Sequence, residues 1–281
     1  MKTIYENKII QSATNFTKES DYNYIPKSLA LSEKLVGMKI FEDPIFAFGD
    51  AHDDYFVKLQ KDDVIGNHFM VPNQWLESAN TVISYFLPYT DVIKKGNKIN
   101  MSWPSDEWLH GRIEGQEFLK KLTLLLQNEI IDLGYDCVAP SLDNRIFSVQ
   151  KKEKYFYGRS LTFTSNWSER HVAFVCGLGT FGLSKGIITK KGMAGRFGSV
   201  ITNLKITPTK REYEDIYEFC TMCGKCALNC PAKAISKENG KDHVGCSQFL
   251  DKVKEKHETR FGCGKCQVGV PCESKTPVKN N

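Results

Sequence analysis

The segment Phe219–Pro231, FCTMCGKCALNCP, sets four cysteines at intervals of two, two and three residues and closes on a proline. Thiolates at C-x2-C-x2-C can wrap one face of a cubane iron–sulfur cluster. A fourth, three residues on and backed by proline, points away toward a neighbouring cluster. This spacing assigns Cys220, Cys223 and Cys226 to one [4Fe–4S] cluster and sends Cys230 to another. The second cluster then needs three more thiolates, which Cys246, Cys263 and Cys266 supply. The first still lacks one, and Cys272 in GVPCE provides it, although a symmetric pattern would place that cysteine at position 270, occupied by Val270. Structural zinc is the competing use of C-x2-C pairs. Four cysteines and a proline at these intervals exceed what zinc needs. Cys137 and Cys176 lie outside the pattern and are expected as small buried core thiols.

Eight of the ten cysteines fall between Cys220 and Cys272, which describes a local metal site in a reducing compartment rather than a disulfide network. The chain has 281 residues, a formal charge of +5 and 41% hydrophobic residues, so it can bury an ordinary core. It holds no run of eighteen apolar residues, and MKTIYENKIIQ at its start has no apolar signal core. The expectation is a cytoplasmic protein without a membrane partner. The mild positive charge permits nucleic acid without requiring it. A ferredoxin module needs roughly 60–80 residues, and a much longer stretch precedes the cysteines. The expected organisation is therefore an α/β cofactor and substrate domain over 1–205 and a ferredoxin-like two-cluster domain over 206–281, an α+β architecture overall.

Several elements must position these groups. NTVISYFLPY, Asn80 to Tyr89, is rich in β-branched and aromatic residues and predicts a buried strand. Apolar residues from Phe118 to Leu133 recur at three- and four-residue steps, which predicts a long helix with Ser102 or Ser105 as its cap and Gly134 at its left-handed end. YDCVAP predicts a short strand, SNWSERHVAFVCG a second helix capped by Ser165 or Asn166, and GSVITNLKI a further strand. KSLALSEKLVGMKIFE predicts a helix stopped by Gly37.

Seven glycines crowd into GLGTFGLSKGIITKKGMAGRFGS. Gly177, Gly179 and Gly182 match G-x-G-x-x-G, but they follow a predicted helix where a dinucleotide fold wants a strand. Their expected use is to let backbone approach a large flat ligand, with Lys185 and Arg196 pairing to its polar groups. A glycine-rich connector with solvated lysines is the alternative.

ERHVAFVCGLGTFG, the following GS and strand, the C-x2-C-x2-C-x3-C-P run and the late GCGKCQ together resemble epoxyqueuosine reductases, relatives of the cobalamin-dependent reductive dehalogenases. The resemblance covers Thr81 to Cys272. It implies a nitroreductase-like α/β domain that binds cobalamin, docked on a ferredoxin-like domain whose clusters reduce the cobalt. It also implies an electron donor such as ferredoxin or flavodoxin, and tRNA as one possible substrate carrier. An acid must protonate what leaves, and Asp91 is the first candidate, with Tyr89 and Asp106 beside it. Glu169 and Arg170 are expected as a structural or cofactor-flanking pair, and His110 and His171 as surface or satisfied core residues. Two other readings stay open: an electron-transfer protein with no corrinoid, and a reductase that uses FMN.

Overall fold

The computed structural model describes residues 4–149, 154–156, 159–258 and 260–277. Among them we label helix α1 (Ile4–Glu19), strands β1 (Ile45–Asp50) and β2 (Thr81–Pro88), helices α2 (Asp91–Ile99) and α3 (Asp106–Asp132), and strand β3 (Cys137–Val138). Helix α4 (Glu169–Cys176), strands β4 (Gly179–Phe181), β5 (Ile187–Thr189) and β6 (Gly195–Thr202), and helices α5 (Lys225–Leu228) and α6 (His243–Lys256) follow.

The central sheet runs β1-β2-β6-β3, antiparallel throughout. All eight residues of β2 are buried, because helices cover both faces of the sheet. One face sends Ile83, Tyr85, Leu87 and Val200 against α1 and α3. The other sends Val82, Phe86 and Ile201 against α4 and Trp167. A strand buried on two sides reads as one continuous apolar run, and this explains VISYFLP.

Helix α3 is 27 residues long. Ser105 caps it, its Oγ accepting from the Trp108 amide at 3.3 Å, and Gly134 closes it at φ +86°. Phe118, Leu122, Leu126 and Ile130 form its fully buried stripe. Gly111 lets Tyr89 lie against the helix, since a Cβ there would sit 2.9 Å from the Tyr89 ring. The Tyr85 and Thr123 hydroxyls meet at 2.6 Å within the core.

The sequence reading differs from this fold in two places. Only Glu33–Leu35 of the first expected helix is helical, as one 3-10 turn, while Leu35, Met38 and Ile40 are drawn separately into the core. The second expected helix begins at Glu169 after Ser168, and Asn166 instead ties loops together through Phe147, Arg145 and Met70. The C-terminal cysteine region shares the main core: Val268 packs with the α3 cluster, and Tyr213, Tyr217 and Phe219 pack with the α4 cluster.

Phe118 is fully buried and contacts Phe16 and Phe41. Phe118→Ala is expected to cost about 3–5 kcal/mol, seen as a lower anaerobic thermal midpoint. An unchanged midpoint would contradict this packing.

Candidate cluster sites and the cavity between them

Two short loops share the tetrapeptide CGKC, at Cys223–Cys226 and Cys263–Cys266. In each the glycine is left-handed, Gly224 at φ +76° and Gly264 at φ +64°, and each opens a short helical turn. This geometry lets both cysteines of a loop line one cavity. It is affordable only for residues that tolerate positive φ.

The sulfurs gather in two groups. Cys220, Cys223, Cys226 and Cys272 line one cavity of about 20 Å3. Cys230, Cys246, Cys263 and Cys266 line another of about 250 Å3. Burial and the neighbouring thiols push Cys226 up to about 11 and Cys272 up to about 12, and burial does the same for Cys263. Such crowded thiols become thiolates only when a metal compensates them. Among the described residues no three ligand-type side chains converge tightly enough for a single ion. Four sulfurs facing a shared space suit a larger inorganic group. The two groups adjoin, since Cys226 feels the charge of Cys266.

The second group is fastened to the large domain. Lys265 is completely buried, and its Nζ donates to the Asn97 carbonyl at 2.6 Å and to Asn97 Oδ1 at 2.7 Å. Asn97 in turn donates to the Cys263 carbonyl at 3.0 Å. Gly264 lies on Trp108, where an added Cβ would come 1.8 Å from the ring. Arg260 grips Glu114 through two bonds, at 2.9 and 2.7 Å. Burial alone would raise the Glu114 carboxyl, but His110 and Arg260 outweigh it and hold it at about 2.

The larger cavity reaches from the second group to the end of β2. Tyr89, Trp108, Arg112, Arg170 and Arg196 share its wall. Tyr89 Oη donates to the Gly111 carbonyl at 2.8 Å. Burial raises its phenol, and the Arg196 and Arg112 guanidiniums partly oppose that.

The expected acids separate. Tyr89 lines the cavity. The Asp91 side chain is 72% exposed at the start of α2 and pairs with Lys94 at 2.9 Å, which lowers its pKa. Asp106 opens α3 and is not part of the cavity wall. Of the expected cofactor residues, only Arg196 lines this cavity, and it also bonds Gln116.

The glycines have internal reasons. Gly177 is the left-handed end of α4 at φ +99°. A Cβ on Gly179 would meet the Ile188 carbonyl across the β4–β5 hairpin at 2.0 Å. Gly182 packs on Ile188 and borders the first cysteine cavity. Lys185 turns to the Tyr217 hydroxyl.

Glu169 and Arg170 do not pair. Arg170 faces the cavity, whereas the Glu169 carboxyl is buried beside Ser199 under the sheet, and burial pushes it up to about 7. His110 is bonded to Glu114 and His171 to Ser168. Sequence reasoning missed Trp108 and Arg112. They stand four apart on α3 and so share a face, but nothing in their spacing distinguishes them from an ordinary helix surface.

Residues 213–236 match the family model for a 4Fe-4S binding domain. The chain carries an iron–sulfur module of that type. It is also 43% identical over 114 residues to the tetrachloroethene reductive dehalogenase of Desulfitobacterium hafniense, a match covering 38% of this chain and 21% of that protein. Among solved structures it superposes on a selenomethionine-labelled epoxyqueuosine reductase with TM-score 0.51 at 19% identity, covering 84% of this chain and 64% of the other. It superposes on a catabolic reductive dehalogenase with TM-score 0.54 at 12% identity, covering 97% and 37%. The chain is thus similar to epoxyqueuosine reductases and reductive dehalogenases. It spans about a fifth of the curated relative and less than two thirds of either structure. The structural likeness shows a shared mixed α/β fold with its ferredoxin-like segment near the C-terminus. Among the described residues no helix is long and apolar enough to cross a membrane.

Asn97→Ala is expected to strand the buried Lys265 ammonium at a cost of about 3–5 kcal/mol. Iron bound at the second group should fall while the first keeps its share. Full iron content in this variant would contradict the fastening role.

Proposed function

We propose that this chain is an iron–sulfur oxidoreductase of the epoxyqueuosine reductase and reductive dehalogenase type. In this reading Cys220, Cys223, Cys226 and Cys272 hold one [4Fe–4S] cluster, and Cys230, Cys246, Cys263 and Cys266 hold the other. One observation carries it: the second sulfur group and Tyr89 line the same cavity. When bound, the clusters supply electrons one at a time. Tyr89 holds a proton at Oη beside the place where those electrons arrive, with Arg112 and Arg196 stabilising charge on the phenol oxygen once the proton leaves. Cys223 is the exposed cysteine of the first group, which suits that side to an external donor of ferredoxin or flavodoxin type.

A corrinoid is the finer form implied by the relatives, along with a nitroreductase-like shape for the large domain. The residues present do not fit that group as they stand. The cavity of about 250 Å3 already includes the space of the second cysteine group. It falls below even the ~300–1,000 Å3 usual for drug-sized ligands. The same shortage applies to FMN, and the glycines that would cradle a flat cofactor are spent on internal packing. The acceptor in this reading is a small molecule.

Anaerobic reconstitution with iron, sulfide and cobalamin tests both levels. About eight iron atoms per chain are expected for two cubanes, without stoichiometric cobalt after gel filtration. Zinc in place of iron would overturn the cluster assignment. Cobalt co-eluting at about one per chain would show that the cavity widens around a corrinoid larger than its resting volume.

A further inference from the structure

Five cations line the larger cavity, Arg112, Arg170, Arg196, Lys241 and Lys265, and among the described residues no carboxylate does. Charge gathered in a half-buried space needs a counter-charge. Three of the five are accounted for. Arg170 and Lys241 act on the Cys266 sulfur, and a cubane held by four thiolates is net negative. Lys265 turns onto Asn97 and faces the charge of the Cys263 sulfur.

Arg112 and Arg196 remain. Arg112 lies 4.5 Å from the ring centre of Phe261 and makes no ion pair among the described residues. Arg196 reaches Gln116 and the Tyr89 phenol, both neutral. Arg112 feels Arg196 as a like charge across the same space. A planar guanidinium presents paired donors that match a carboxylate or phosphate.

We propose that Arg112 and Arg196 form a fork for the oxyanion head, carboxylate or phosphate, of a small organic substrate whose body lies against Trp108 and Phe261 with Tyr89 Oη at its side. This rests on reading the second cysteine group as a cluster site, because that reading accounts for Arg170 and Lys241. The confined volume limits the ligand to a small molecule. The fork fixes its orientation, so that one defined part of it faces both the second cluster site and the tyrosine.

The test is calorimetric titration of the anaerobic full-length protein with benzoate, phenyl phosphate and the neutral benzyl alcohol, with iron counted in the same sample. At least one anion is expected to bind about tenfold or more tightly than the alcohol. Arg112→Gln and Arg196→Gln should each weaken that anion by about tenfold, Arg112→Lys by less, and the exposed Lys210→Gln not at all. If the arginine variants lose their iron, the salt dependence of the native protein decides. Anion binding should weaken with added chloride while alcohol binding does not. Overturning results are no anion binding, alcohol binding of equal strength, arginine variants with full iron and native affinity, or anion binding indifferent to salt. Failure in iron-replete protein sinks the fork and leaves the cluster reading intact. Zinc-loaded protein sinks the cluster reading, and the anion titration then judges the fork separately.

Discussion

The contact on which this structure depends is the seating of the second CGKC loop against α2 and α3. Gly264 has no side chain because Trp108 occupies the space a Cβ would take. Lys265, one residue on, is buried whole and gives its protons to Asn97. An ammonium is seldom buried without strong acceptors. Both oxygens of Asn97 serve it, and the Asn97 amide returns to the Cys263 carbonyl. The loop is thereby fixed to the two helices that frame Tyr89 and Arg112. Without this contact the cysteines could still gather, but no shared cavity would follow.

Further ties spread the load. Lys98 meets Glu273 at 3.0 Å, Lys94 bonds Ser274 at 2.9 Å, and the Met193 amide donates to the Cys272 carbonyl at 3.0 Å. The segment after Cys272 is therefore held on both α2 and the glycine-rich region. Gly192, at φ +77°, allows the approach, since a Cβ there would meet the Glu273 carbonyl at 2.3 Å. This also gives a physical setting for the displaced last cysteine. Val270 is buried with Ile188 and Met193, and Cys272, after Pro271, joins the first sulfur group.

Much of this was legible where local rules act alone. The all-apolar run of β2, the three- and four-residue rhythm of α3 and the left-handed Gly134 follow from burial and helix geometry. The cysteine intervals divide eight residues into two groups of four, and four of the eight line each of the two cavities. What stayed hidden depends on distant partners. Gly179 looked like a ligand cradle because nothing nearby reveals that Ile188 will lie against it. Asp91 looked like an acid beside the site because sequence gives its distance from β2 but not the direction of its side chain. Arg112 and Trp108 looked like ordinary helix residues, and only the docked loop makes them walls of a cavity. The KSLALSEKLV segment has helical rhythm, yet the core takes its apolar residues one at a time.

The central claim is the crossed division of thiolates, in which Cys230 leaves its sequence neighbours for a group completed downstream. Cys230→Ser and Cys272→Ser proteins, reconstituted anaerobically and reduced, measure it directly by iron content and low-temperature electron paramagnetic resonance. The account predicts that each variant is damaged at one cluster only and that the surviving signals differ: Cys230→Ser keeps the signal that Cys272→Ser loses. Loss of the same signal in both, or full iron in either, would contradict it.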